Sequence, residues 1–143
     1  MKAISFLKIA AVTALMLVGI SISAPAQAAA SWSKQANGPT MYQTNWQYNS
    51  TWMTPPASVP STAMMTSVYW TTKFSYYAPG LTVYLHAANQ GYFKLPSLNG
   101  NSAASGIYAK QAFRYAYIAK SSPTRMIAPS YGGGHQISVN YQY

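Results

Sequence analysis

Two histidines, His86 and His135, are the only side chains in this sequence whose ordinary pKa lies near neutrality, and the chain gives them little to work with. No Asp, Glu or Cys occurs among its 143 residues. Acid–base catalysis usually draws on a His, Asp, Glu, Cys or Lys of tuned pKa, and a nucleophilic site wants a third group to orient the base. Ser and Thr are plentiful, yet no Gly-x-Ser-x-Gly elbow is present. A closed metal site needs three or four ligands, which two histidines without carboxylate or thiolate do not make. His86 and His135 are therefore expected to be half-exposed, at a strand end or in a Gly-rich bend. No catalytic, cofactor-binding or metal-binding residue is assigned. Gly132-Gly133-Gly134-His135 has the glycines of a phosphate loop but neither its Gly-Lys-Ser/Thr ending nor a following helix, so it reads as a mobile hairpin connection.

The remaining chemistry is cationic. Nine Lys and Arg face no acidic side chain, so internal ion pairs are nearly impossible and each exposed cation is left for an anion supplied from outside. Basic and aromatic residues interleave at Lys110-Gln111-Ala112-Phe113-Arg114-Tyr115, a texture found in nucleic-acid binders. The charges are dispersed along the chain, however, and an exported protein rarely meets nucleic acid. Neither nucleic acid nor a small-molecule substrate is expected as a partner.

Export is read from the first thirty residues. Lys2 and Lys8 precede an apolar run from Ile9 to Ile22, and Ala24-Pro25-Ala26-Gln27-Ala28-Ala29-Ala30 supplies small residues for cleavage after Ala28 or Ala30. The run is short of the roughly 20 residues that span a membrane. Residues 1–30 are thus expected to form a cleavable signal helix. About 113 residues then remain, enough for one domain burying roughly two-thirds of its unfolded surface. Without cysteines that domain must rely on its core and strand ladders, and 13 Tyr with 4 Trp supply the core.

The elements that would position any site follow a period of two. Val68, Trp70, Phe74 and Tyr76 share one face of a segment running from Met64 to Tyr77, and Tyr69, Thr71, Lys73 and Ser75 share the other. Turns at Ala78-Pro79-Gly80 and Asn89-Gln90-Gly91 set off a strand with Leu81, Val83 and Leu85 inward and a second piece, Tyr92 to Leu95. Phe113, Tyr115 and Tyr117 mark another strand, and Ile137, Val139, Tyr141 and Tyr143 mark the last. Ser97 to Gly106 reads as a loop, Gly106 to Ala112 as a loop or a short helical turn, and Arg125-Met126-Ile127 is too short to assign. Upstream, Tyr42, Trp46 and Tyr48 suggest a first strand, followed by an extended connection from Thr54 to Pro60. The expected fold is all-β: a small antiparallel sandwich or flattened barrel of six to eight strands. Residues 31–62 would supply an N-terminal strand and connection and residues 63–143 the sandwich core of the same domain.

Several short motifs then appear in a fixed order: Met65-Thr66-Ser67-Val68-Tyr69-Trp70, Pro79-Gly80-Leu81-Thr82-Val83-Tyr84-Leu85, Ser105-Gly106-Ile107 with Arg114-Tyr115, Arg125-Met126-Ile127-Ala128-Pro129, and Ile137-Ser138-Val139-Asn140-Tyr141. In that order and spacing the chain resembles the FlhE family of flagellar accessory proteins, over roughly residues 63 to 143 and more loosely back to Trp46. The resemblance implies a periplasmic, non-enzymatic protein linked to the flagellar export apparatus. It would act as an assembly guard or chaperone that prevents misassembly in the periplasm and limits proton leakage through the export gate. Relatives carry a cysteine pair around the hairpin occupied here by His86 to Tyr92, and this chain lacks it.

Together these features predict a sheet edge that takes up an extended client, with Lys73, Lys94, Lys110, Arg114, Lys120 and Arg125 as candidate contacts to flagellar structural or export proteins and to anionic envelope surfaces. Two other readings remain open: a secreted carbohydrate- or peptidoglycan-binding module, suggested by the aromatics, and a membrane-active toxin, suggested by the charge. Because acid unfolding is largely the protonation of carboxylates held by native contacts, stability is expected to change little between about pH 3 and pH 5. Unfolding curves across that window check this directly.

Overall fold

The computed structural model describes residues 27–143, so the expected signal helix lies almost wholly outside the described residues. Ten strands are present: β1 (Ala29–Asn37), β2 (Thr40–Gln43), β3 (Gln47–Asn49), β4 (Met64–Thr71), β5 (Leu81–Ala87), β6 (Gly91–Lys94), β7 (Gly100–Ala103), β8 (Phe113–Ala119), β9 (Met126–Tyr131) and β10 (Gly134–Gln142). Every pairing is antiparallel. One four-stranded sheet runs β1-β10-β4-β7, a second runs β3-β8-β5-β6, and β2 and β9 form a separate ribbon. Both larger sheets keep free edges, which makes the fold a sandwich and sets the barrel alternative aside.

Alternation explains which sheet faces meet. Trp32, Val68, Trp70, Ile137 and Val139 point inward from the first sheet, and Val83, Leu85, Phe113, Tyr115 and Tyr117 from the second, forming one continuous cluster. The ring of Trp32 meets that of Phe113 across the gap at 5.9 Å. Each large apolar side chain buried this way contributes about 1.5–3 kcal/mol. The phenols of Tyr115 and Tyr117 are buried with it, and the Tyr115 hydroxyl donates to the Gln136 carbonyl on the opposite sheet at 2.7 Å. That bond satisfies a polar tip that would otherwise be costly to bury.

The structure has more strands than the expected six to eight: β1 precedes the expected first strand, a turn at Thr44 and Asn45, with Asn45 at a φ of 58°, divides that strand into β2 and β3, and β7 and β9 lie where no strand was assigned. β7 falls inside Ser97 to Gly106, where composition indicated only loop; it pairs with β4 through backbone bonds, and its alternating exposure carries no apolar signal. β9 extends the unassigned Arg125-Met126-Ile127 and pairs with β2. β4 stops at Thr71, short of the expected Tyr77. Side chains take over the polar groups of Thr72: Asn99 Oδ1 accepts from its N–H, the Tyr77 hydroxyl donates to its carbonyl, and its own hydroxyl donates to the Leu98 carbonyl. Residues 106 to 112 form no helix.

The Gly-rich bend between β9 and β10 is tied down rather than free. Gly38 donates to the Gly133 carbonyl at 2.8 Å, Gly132 to the Pro39 carbonyl at 2.9 Å, and Gly133 to the Lys73 carbonyl at 2.8 Å. Two glycines are required by the close approach: a Cβ on Gly38 would stand 1.8 Å from His135 Nε2, and one on Gly132 would stand 2.5 Å from the Pro39 carbonyl oxygen. Gly38→Ala and Gly132→Ala are each expected to lower stability by about 1–3 kcal/mol. Gly134→Ala, with no atom within 4 Å of the added methyl, should stay within about 0.5 kcal/mol. Urea unfolding of the three variants checks this, and equal midpoints would contradict the seated bend.

Candidate partner-binding surfaces

The outer face of the second sheet gathers side chains from five places in the sequence. Register puts His86 of β5 opposite Arg114 of β8 on one side and Tyr92 of β6 on the other. Arg114 Nε donates to His86 Nδ1 at 3.0 Å, the His86 ring stacks on Tyr92 with centroids 4.0 Å apart, and the guanidinium carbon sits 4.4 Å from the centre of the Trp52 ring. Gln47 of β3 completes the row, its amide donating to the Tyr92 hydroxyl at 3.3 Å. Partial burial, and then the Arg114 cation, push the His86 pKa below its usual value, which keeps Nδ1 free of a proton and able to accept. The hydrogen bond from Gln47, and after it that from Arg114, pulls the Tyr92 phenol down as well.

Of the six predicted contact cations, Arg114 and Lys94 share this face. The other four are separated. Lys110 is exposed in the connection before β8, its ammonium donating to the Ala57 carbonyl at 3.3 Å. Lys120 and Arg125 lie at the loop that Asn45 and Thr44 pin to β8 and β9. Lys73 lies beside Gly133 at the β9–β10 bend. His86 is half-exposed, as expected for it. Trp52, Tyr92 and Gln47 carried no signal of their own in the sequence; cross-strand register reveals Tyr92 and Gln47, and the course of the chain after β3 brings in Trp52.

A second feature is the edge of the first sheet. Ala28 and Tyr143 exchange both backbone bonds, and the pairing of β1 with β10 keeps that phase through to Gly38. Even-numbered residues of β1 therefore bond β10, while Ser31, Ser33 and Gln35 aim their N–H and C=O groups away from it. Among the described residues no strand covers that side, and Thr51 meets it at Asn37 alone. Lys34 is the one charged residue in this nine-residue edge, although natural edges are commonly guarded by charge, proline or bulges.

Comparison with known proteins places the chain in a family. The family model described as flagellar protein FlhE matches residues 38–142. This chain belongs to the FlhE family. A solved structure described as the crystal structure of FlhE shares its fold with a TM-score of 0.66 at 20% identity, covering 80% of this chain and 98% of that one. No curated protein sequence matches the chain. It is thus a flagellar-associated protein, and the family match begins just after β1.

In this FlhE-family sandwich the second histidine departs from expectation. His135 is wholly buried, because β10 turns it inward against Phe74, Tyr115 and Tyr117. Its Nδ1 shares a 2.7 Å hydrogen bond with the Tyr117 hydroxyl, and its Nε2 has no hydrogen-bond partner. Burial lowers its pKa to about 4 and pushes the phenols of Tyr115 and Tyr117 up. The unfolded chain takes up this proton near pH 6.5 and the folded one only near pH 4. Stability is therefore full above pH 6.5, declines by about 3 kcal/mol as pH falls to 4, and changes no further from this source below that. The expected flat window of pH 3 to 5 is accordingly narrowed to its lower part. Thermal unfolding between pH 7 and pH 3.5 should show this decline in the native protein and lose most of it in His135→Gln; an identical slope in the variant would assign the effect elsewhere.

Proposed function

We propose that this protein acts in the periplasm as a non-enzymatic accessory of flagellar export, an assembly guard or chaperone that holds flagellar structural or export proteins while they are still extended. The observation that carries this reading is the outer backbone of β1 at Ser31, Ser33 and Gln35, which no strand among the described residues pairs. A partly unfolded client has unpaired backbone groups of its own, and joining β1 as an added strand satisfies both sets. Backbone capture reads little of the client's sequence, which suits a guard that meets several proteins. Family membership supplies the flagellar setting, and the expected export signal supplies the compartment. The dispersed cations would draw acidic client segments toward the sheet from several directions.

Proline tests the edge without dismantling the sandwich. Ser33 directs its N–H away from β10, so Ser33→Pro removes an outward donor while the β1–β10 ladder stays intact. Ser33→Ala removes only the side-chain bond to Ser138 and serves as the control. With a labelled, unfolded flagellar hook or rod subunit as probe, Ser33→Pro should weaken binding by about 10-fold, the worth of one or two backbone bonds, and Ser33→Ala should not. Undiminished capture by a folded Ser33→Pro protein would refute strand addition at this edge.

A further inference from the structure

The row of side chains on the outer face of the second sheet holds Arg114 in a fixed pose with part of its hydrogen-bonding capacity unspent. Nε is committed to His86, a further N–H leans on the Tyr92 hydroxyl, and the face of the guanidinium lies over Trp52, which leaves the other terminal N–H groups open. His86 is itself held in place by its stack on Tyr92. An arginine immobilised in this way has already lost much of the rotamer freedom that binding would otherwise cost, and its two terminal nitrogens form a planar fork matched to a carboxylate. Nothing within the chain can fill that fork with an acidic side chain, since the sequence has no Asp or Glu. Lys94 lies on the same face, paired with Tyr84 two residues along β5 from His86. From the spacing of strands and residues, the two cations project about 12 Å apart, a span that an extended chain covers in roughly four residues.

The geometry points to a carboxylate-binding site on this face, built on Arg114 and held by Trp52, His86 and Tyr92, that takes an acidic segment of a protein partner, with Lys94 receiving a second carboxylate. A sugar polymer fits less well. Stacking on a sugar needs open aromatic faces, and here Trp52 spends one face on the guanidinium and Tyr92 one on His86. The site lies on the sheet opposite β1 and stands whether or not strand capture occurs there. If both operate, one protein holds a client by its backbone and a partner by its acidic side chains.

The probe is a fluorescent peptide of glycine and serine carrying two glutamates four residues apart, compared with its glutamine counterpart and with an anionic saccharide, polygalacturonate. In low salt the full chain should bind the glutamate peptide and not the glutamine one. Arg114→Gln should lower affinity by about 10-fold or more, the worth of a charge-assisted pair, and Trp52→Leu should weaken it while the arginine remains. Lys34→Gln removes an equal charge from the opposite sheet and should change affinity by about 2-fold at most. Thermal melting of each variant confirms folding. Nuclear magnetic resonance of the native protein supplies a readout free of substitution: the Arg114 Nε–H and Trp52 indole signals should shift on titration with the glutamate peptide. Equal losses in Arg114→Gln and Lys34→Gln would reduce the effect to general attraction and overturn the site. Binding of polygalacturonate without binding of the peptide, or unmoved Arg114 and Trp52 signals, would overturn it too.

Discussion

A cation inside a protein is neutralised by an anion that the chain supplies, and the side chains here supply none. That single lack shapes the rest of the molecule. Polar stabilisation has to come from backbone ladders and from neutral hydrogen bonds, and every lysine and arginine among the described residues is pushed to positions where solvent or an outside group can meet it. Arg114 is the most buried of the candidate cations, and even there a neutral histidine nitrogen and an indole ring take the place of a carboxylate.

Tyrosine does much of the work that ion pairs do elsewhere. Tyr115 and Tyr117 fill the core with their rings and use their hydroxyls to reach the opposite sheet, at the Gln136 carbonyl and at His135. Such bonds fix how the two sheets lie on each other without a buried charge and its desolvation cost. The arrangement leaves a debt at His135, which is buried with one nitrogen unpartnered and is neutral for that reason. Gly38 lets the backbone close over that ring, and Gly132 lets the bend pass against Gly38 and Pro39.

The two surfaces available to partners differ in kind. The β1 edge offers backbone groups on a sheet whose outer face carries residues such as Ser31, Ser33, Gln35, Ser138 and Asn140, all uncharged. The outer face of the second sheet offers a positioned arginine and two partly committed aromatic rings. The family match begins at residue 38 and so takes in the whole second sheet but omits β1. The arginine row therefore lies within the part of the fold that the family model describes.

Much of this was legible in the residue order. Period-two patterning revealed β4, β5, β8 and β10, and the ordered motifs revealed the family, because alternation and local turns are properties of neighbouring residues. β7 escaped because a strand held only by backbone bonds leaves no apolar mark, and β4 was read too long because the Leu98 carbonyl and the Asn99 side chain, distant in sequence, take up the polar groups of Thr72 and end it. His135 looked like part of a flexible bend because its glycines are local while the aromatic cluster that buries it comes from residues 74, 115 and 117. By itself the sequence determined an all-β chain with unpaired cations and no means of acid–base catalysis through carboxylates. Tertiary structure alone decided which backbone edge stays open and which cation is caged, since both depend on register between strands far apart in the chain, and register is set by how two whole sheets bury their inner faces together.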